Sequence, residues 1–323
     1  MNTDADEVEL PRGLALAWGV AAHPQQRGPK RELSLERIVE TAVDIADGEG
    51  LGAVSMSAVA KQLGFTTMSL YRYVTSKDDL LLLMGEVALG TPPLSIADAP
   101  TWREGLIRWH DETMAVYTAH PWMLDLPITG IPSTPANLTW MEAVLSTLTE
   151  TPLADLEKIA VLLLVIGHAR WQAIVERSYD DRARENAMTT DALDRQIADT
   201  IDALVTAEQF PHLREAIEAG VFTADADPLT FGLDRMLDGV TSYVEARAGG
   251  APAAVPPERA EPPATDAFPK DAKVRAARAA RREAEKAVHE AQKKVREAVK
   301  REREAVQRAR ERQEREAEKA RKP

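Results

Sequence analysis

The stretch from Ser34 to Leu81 leaves a folding chain few choices. An apolar stripe at helical spacing, Leu35, Ile38, Val39, Ala42, Val43, Ile45 and Ala46, follows Ser34 and is stopped by Gly48, Gly50 and Gly52. Ser34 fits an N-cap, with Arg37 rather than Glu three residues on, so the capping box is absent. The GEGLG stretch from Gly48 to Gly52 looks like a phosphate-binding loop, but it follows a helix instead of a strand and reads as a C-cap and turn. A second short helix is expected from Ser55 or Ser57 to Leu63, with Met56, Val59, Ala60 and Leu63 on one side. Gly64 makes the next turn, a third short helix should span about Thr66 to Tyr73, and Ser76 caps a fourth. Two short helices across a tight glycine turn form a helix-turn-helix.

An ordinary helical hairpin would share that outline; the polar load after the turn argues against it. Tyr71, Arg72, Tyr73 and Lys77 follow Gly64 closely, and a packed core has little use for such a cluster. The chain as a whole has a net charge of −12, unevenly spread. Residues 270–323 hold 20 Lys+Arg and 11 Asp+Glu, a net of +9, so the rest carries −21. In the window 27–77 the six acids all precede Gly50, which leaves the segment after it basic. Blocks of unlike charge mark separate modules or separate partners.

The remaining chain predicts an all-α fold. Trp102–His120, Ser133–Glu150 and Thr151–Tyr179 carry helical patterns, the last with an apolar centre from Val161 to Ile166. Further helices are expected within 189–210, 211–220 and 227–248. The expected division is an arm over 1–33, a helix-turn-helix domain over 34–80, a larger helical domain over 81–248, a proline-rich linker over 249–269 and a charged helical tail over 270–323. Glu recurs every seventh residue from Glu283 to Glu318, with i,i+4 pairs such as Glu290–Lys294 and Glu297–Arg301 in the favourable order. The best heptad seam offers mostly Val and Ala, which favours a solvated or weakly associating helix over a strong coiled coil. With no Cys there is no disulfide or thiolate site, and no apolar run reaches bilayer length. A cytoplasmic, soluble chain is expected. No nucleophile elbow, P-loop or metalloprotease motif occurs, so neither an enzyme nor a cofactor is expected.

The segment from Leu33 to Leu81, with A-x-x-L-G at Ala60–Gly64 and S-L-Y-R-Y-V-x-S-K-x-x-L at Ser69–Leu80, resembles the DNA-binding domain of the TetR family of transcriptional repressors. Phe231–Val240 is similar to the terminal helix of the ligand domain of that family, and Leu14–Lys30 to an extension found in a subset. In a helix-turn-helix the second helix enters the major groove, which makes Thr66, Thr67, Met68 and Tyr71 the groove-facing candidates. Tyr71 has a second reading as a core residue. The resemblance implies phosphate contacts from Tyr73 and Lys77 and a DNA contact from Ser57; Lys77 also stands at a helix start, which favours an anion. Arg27, Lys30 and Arg31 form a basic arm that either follows the minor groove or serves as a linker.

The resemblance also implies a homodimer built on 153–179 and 227–248. The ligand candidates are Trp109, His110, Met114, Trp140, His168 and Trp171; any one Trp or Met among them is by itself more often a core residue. Arg170 and Gln172 are further polar candidates, and no metal site is expected because His110, Asp111 and Glu112 do not share a face. The reading that follows is a dimeric repressor that binds a palindromic double-stranded operator and is released by a small-molecule effector. The alternative is a structural DNA-associated or scaffolding protein acting through its basic tail.

Overall fold

The computed structural model of the 323-residue chain describes residues 10–20, 33–128, 133–222, 227–252 and 271–288, with isolated positions between 290 and 308. All regular structure among these residues is helical, as the patterning requires. The chain divides into two units, 1–253 and 254–323, each described by itself.

The first unit opens with α1 (Arg12–Ala17), α2 (Leu35–Glu49), a 3-10 turn (Leu51–Ala53), α3 (Met56–Leu63), α4 (Thr67–Leu70) and α5 (Lys77–Leu89). Hydroxyl caps set the starts. Ser34, Ser55, Thr66 and Ser76 accept the backbone N–H of Arg37, Ala58, Ser69 and Asp79 at 3.3, 3.1, 3.4 and 3.0 Å. Each cap satisfies an otherwise orphaned donor and stabilises its helix by about 1 kcal/mol. Gly64 ends α3 with φ of 77°, a left-handed conformation that glycine adopts without a Cβ penalty. Ile38, Val59, Leu70, Val74, Leu80 and Met84 lose essentially all their surface in one core.

Two segments differ from expectation. Within the expected arm, residues 12–17 form α1, and Leu16 is buried in the core just described. The helix expected from Thr66 to Tyr73 is the four-residue α4, because the N–H groups of Tyr73 and Val74 both turn back to the Leu70 carbonyl, at 2.8 and 3.0 Å.

The chain continues through α6 (Trp102–Ala119), a 3-10 turn (Pro121–Asp125), α7 (Pro135–Thr147), α8 (Asp155–Glu185), α9 (Thr190–Leu204), α10 (Pro211–Glu218) and α11 (Pro228–Ala248). A second core gathers Ile96, Leu106, Trp109, Trp140, Val144, Val165 and Leu237 from α6, α7, α8, α11 and the loop before α6. At the apolar centre of α8, Val161, Leu162 and Val165 are buried, whereas Leu163 and Leu164 face outward. By length and composition α8 passes for a membrane span, yet its inner side belongs to the second core.

The two cores are tied together by polar contacts that close buried donors. Glu86 of α5 accepts the Ala136 N–H at 2.8 Å, capping α7 in place of a side chain of its own. Trp122 leaves the C-terminal half to bury itself in the first core, and its indole N–H donates to Asp47 at 2.6 Å. Arg177 of α8 grips the same turn, donating to both oxygens of Asp125 at 2.7 and 3.0 Å and to the Pro121 carbonyl at 2.7 Å. In the second unit, Asp271 accepts the N–H groups of Lys273 and Val274 and starts a helix over 272–288 whose side chains are nearly all exposed.

Candidate nucleic-acid interface and effector domain

The outer face of the helix-turn-helix follows from how α4 is anchored. Leu70 and Val74 point into the core, so the side of α4 that carries Met68 and Tyr71 is left outside. Met68 is 73% exposed and Tyr71 44%, which removes the core reading of Tyr71. Thr67 is half-buried, while Thr66 is exposed with its hydroxyl engaged as the N-cap, 3.0 Å from that of Ser69. Ser57 is exposed on α3, its hydroxyl 3.0 Å from that of Ser55.

Lys77 is the first residue of α5 and exposed, at the positive end of the helix dipole, in a first turn that also carries Asp78 and Asp79. Arg72 is exposed between Tyr71 and the start of α5. The sequence reading passed over Lys61, which is exposed one turn beyond Ser57 on the same side of α3; the i,i+4 spacing was the available signal. The acids of α2, among them Glu36, Glu40 and Asp44, lie on a different helix from these cations.

Tyr73, by contrast, is 9% exposed and its ring belongs to the first core. Aromatic bulk next to a helix end looks the same in sequence whether it faces in or out; only the turn after Leu70 decides. Arg27, Lys30 and Arg31 lie outside the described residues.

Four of the six expected ligand residues are brought together as two pairs, and Met114 and Trp171 stand apart from both. Trp109 and Trp140 meet edge-on at 6.2 Å between ring centroids, and their indole N–H groups donate to the carbonyls of Trp140 and Gly90 at 3.0 and 3.1 Å. Both are core staples whose only donor is already used. His110 and His168 face each other with Nε2 of the first 3.3 Å from Nδ1 of the second, joining α6 to α8. Burial, and after it the neighbouring His110, hold the His168 imidazole below its ordinary value of 6.5, partly offset by the Leu229 backbone and Asp227. Met114 is half-buried one turn after His110.

Trp171 is 61% exposed on the outer side of α8, with Leu163, Leu164 and Ile174. Tyr117, which carried no signal of its own in the sequence, is half-buried beside Arg170. Burial raises its pKa, and the guanidinium and its hydrogen bond act against that rise. A surface cleft of about 340 Å³ opens between α7 and α8, lined by Glu142, Ser146, Thr149, Asp155 and Lys158 among others. None of the six residues lines it, and its charged lining does not suit an apolar effector. Among the described residues no group of three or more His, Cys, Asp or Glu is placed to hold a metal ion.

A glycine-turned helix-turn-helix with an exposed reading helix, joined to a larger all-helical domain, defines a helical DNA-binding regulator. Residues 38–84 match the family of bacterial regulatory proteins of the tetR type, and residues 96–244 match the tetracyclin repressor-like C-terminal domain. The chain is 34% identical over 247 residues to the HTH-type transcriptional repressor DrrR1 of Streptomyces coeruleorubidus, covering 75% of this chain and 89% of that one. Apo ActR of Streptomyces coelicolor shares the fold, with a TM-score of 0.56 at 23% identity over 70% of this chain and all of ActR. ActR in complex with actinorhodin gives 0.51 at 24% identity, covering 69% of this chain and 99% of ActR. The chain belongs to the TetR family of bacterial transcriptional repressors.

Proposed function

We propose that this repressor acts as a homodimer, docks two copies of α4 into successive major grooves of a palindromic operator, and is released by a small-molecule effector held in the 96–244 domain. The observation that carries the reading is the exposure of Met68, Tyr71, Arg72 and Lys77 around a core-anchored α4. Thr67 and Met68 would meet base edges, thymine methyls above all; Tyr71, Arg72, Lys77 and Lys61 would hold phosphates on either side. With so few groups able to read bases, one head has little specificity, and two heads on one two-fold axis supply the rest.

The stripe of Leu163, Leu164, Trp171 and Ile174 on α8, with Phe231 on α11, is apolar and exposed among the described residues, which favours these helices as the dimer contact. For the effector, His110, His168 and Met114 are the residues to test, together with Tyr117 and Arg170. ActR with actinorhodin illustrates that this fold takes a small molecule. The proposed domains are a reading head over 34–80 whose core continues into α5 as far as Met84, an effector and dimer domain up to 248, and a charged tail after the linker. Family membership supports a protein of the bacterial cytoplasm, where its DNA is.

The test is binding of the purified chain to duplexes from around its own coding region, by fluorescence anisotropy at two salt concentrations. A single protected palindrome lost by Tyr71→Ala/Lys77→Ala supports the reading. Equal, steeply salt-dependent binding to any duplex, indifferent to that double substitution, would shift the activity to the basic tail.

A further inference from the structure

We infer that α1 is a positioning element of the operator-binding machinery, a brace that fixes the first turn of α5 and ties it to the start of α7. The inference rests on the reading of Lys77 as a phosphate contact. A six-residue helix has no stability of its own, so α1 is ordered by what it packs against. Leu16 is 5% exposed within the first core, and the helix is closed by Gly19 at φ of 67°, with bonds from Gly19 N–H to the Leu16 carbonyl and from Val20 N–H to that of Ala15, both 3.0 Å.

At Gly13 the backbone of α1 lies directly on Asp79. A Cβ there would stand 2.5 Å from Asp79 Oδ1 and 3.2 Å from its Cα. Asp79 has little room to yield: its Oδ2 accepts from the Thr75 hydroxyl at 2.6 Å, and its N–H donates to Ser76 at 3.0 Å. Asp79 is two residues after Lys77, and residues two apart point to opposite sides of a helix. The brace therefore backs α5 on the side away from Lys77. At the other end of α1, the Trp18 indole N–H donates to the Ser133 carbonyl at 2.9 Å, two residues before α7 begins. That same helix start is held to α5 by Glu86. The first turn of α5 is thus set by a segment outside the helix-turn-helix, and the position of Lys77 with it.

The experiment is a double-mutant cycle in the full chain between Gly13→Ala and Lys77→Ala, reading affinity and its salt dependence on the duplex that the wild-type chain protects near its own gene. Circular dichroism and light scattering monitor fold and oligomeric state. Gly13→Ala is expected to weaken binding about fivefold and to flatten the salt slope by roughly one phosphate per reading head, as Lys77→Ala does. The double variant is expected to bind no worse than Lys77→Ala alone, because both act through one contact. Additive losses, or an unchanged slope in folded Gly13→Ala protein, would overturn the brace. If Lys77→Ala alone leaves affinity and slope intact, the phosphate reading fails and takes the inference with it. Should Gly13→Ala not fold, Leu16→Ala enters the same cycle with the same two outcomes.

Discussion

Asp47 on α2 and Trp122 on the turn after α6 share one hydrogen bond, 2.6 Å from indole Nε1 to carboxylate Oδ1, and that bond joins the two halves of the first unit. His120 donates to the same oxygen at 2.8 Å. Trp122 is 2% exposed, but the Asp47 side chain is 32% exposed, so water partly replaces the carboxylate where it is removed. Asp47→Ala should destabilise the protein by about 1 kcal/mol, the net worth of a hydrogen bond whose acceptor side meets solvent. Asp47→Asn keeps an acceptor and should recover most of the loss. Urea denaturation of the three proteins checks both statements.

The two tyrosines of the reading head separate stability from binding. Tyr71→Ala removes an exposed ring and should leave the melting temperature nearly unchanged while weakening operator binding. Tyr73→Ala empties a core position and should cost about 3 kcal/mol or more of stability. Thermal melts beside anisotropy distinguish the two; a fully stable Tyr73→Ala chain with lost DNA binding would make Tyr73 a phosphate contact.

A charge in the outer stripe of α8 tests the dimer. Trp171→Glu places a carboxylate where the proposed partner would bury an indole, and a buried unpaired charge costs several kcal/mol. Size-exclusion chromatography with light scattering should report a folded monomer, and operator affinity should fall with it because the second head is lost. An intact dimer would move the contact elsewhere.

Acid should loosen the contact between α6 and α8 through His168. Its folded-state pKa lies below 6.5, while the unfolded chain titrates at the ordinary value. The unfolded state therefore binds more protons between the two values. The contribution of this residue is fully present above pH 6.5 and is lost as pH falls toward the folded value. His168→Gln removes the titration. Wild type should lose melting temperature faster than the variant on going from about pH 7 to about pH 5; carboxylates common to both cancel in the difference. Parallel curves would show that His168 titrates alike in the folded and unfolded chain, with no depressed value to lose.

The helix-turn-helix was legible because its signals are local. Ser34, Ser55 and Ser76 cap whatever helix follows them, Gly64 takes the left-handed turn, and the stripe of α2 repeats at 3.6 residues; none of these depends on distant chain. The all-α class and the order of α6 to α11 follow from the same periodicity. Facing was not legible where a residue stands next to a helix end or on a helix apolar all round. Tyr71 and Tyr73 are interchangeable in sequence, and a 3-10-like turn after Leu70 put one outside and the other in the core. Trp109, Trp140 and Trp171 look equally suited to a pocket; packing placed two in the interior with their N–H groups on carbonyls and the third on the surface. Residues 12–17 carried too little pattern to announce a helix, because six residues cannot hold one without the surface of α5 beneath them. What the sequence by itself determined was each contact that closes within four residues. What the tertiary structure decided was each contact across the chain, Trp122 to Asp47 and Gly13 to Asp79 among them, since burial depends on which distant side chain arrives to exclude water.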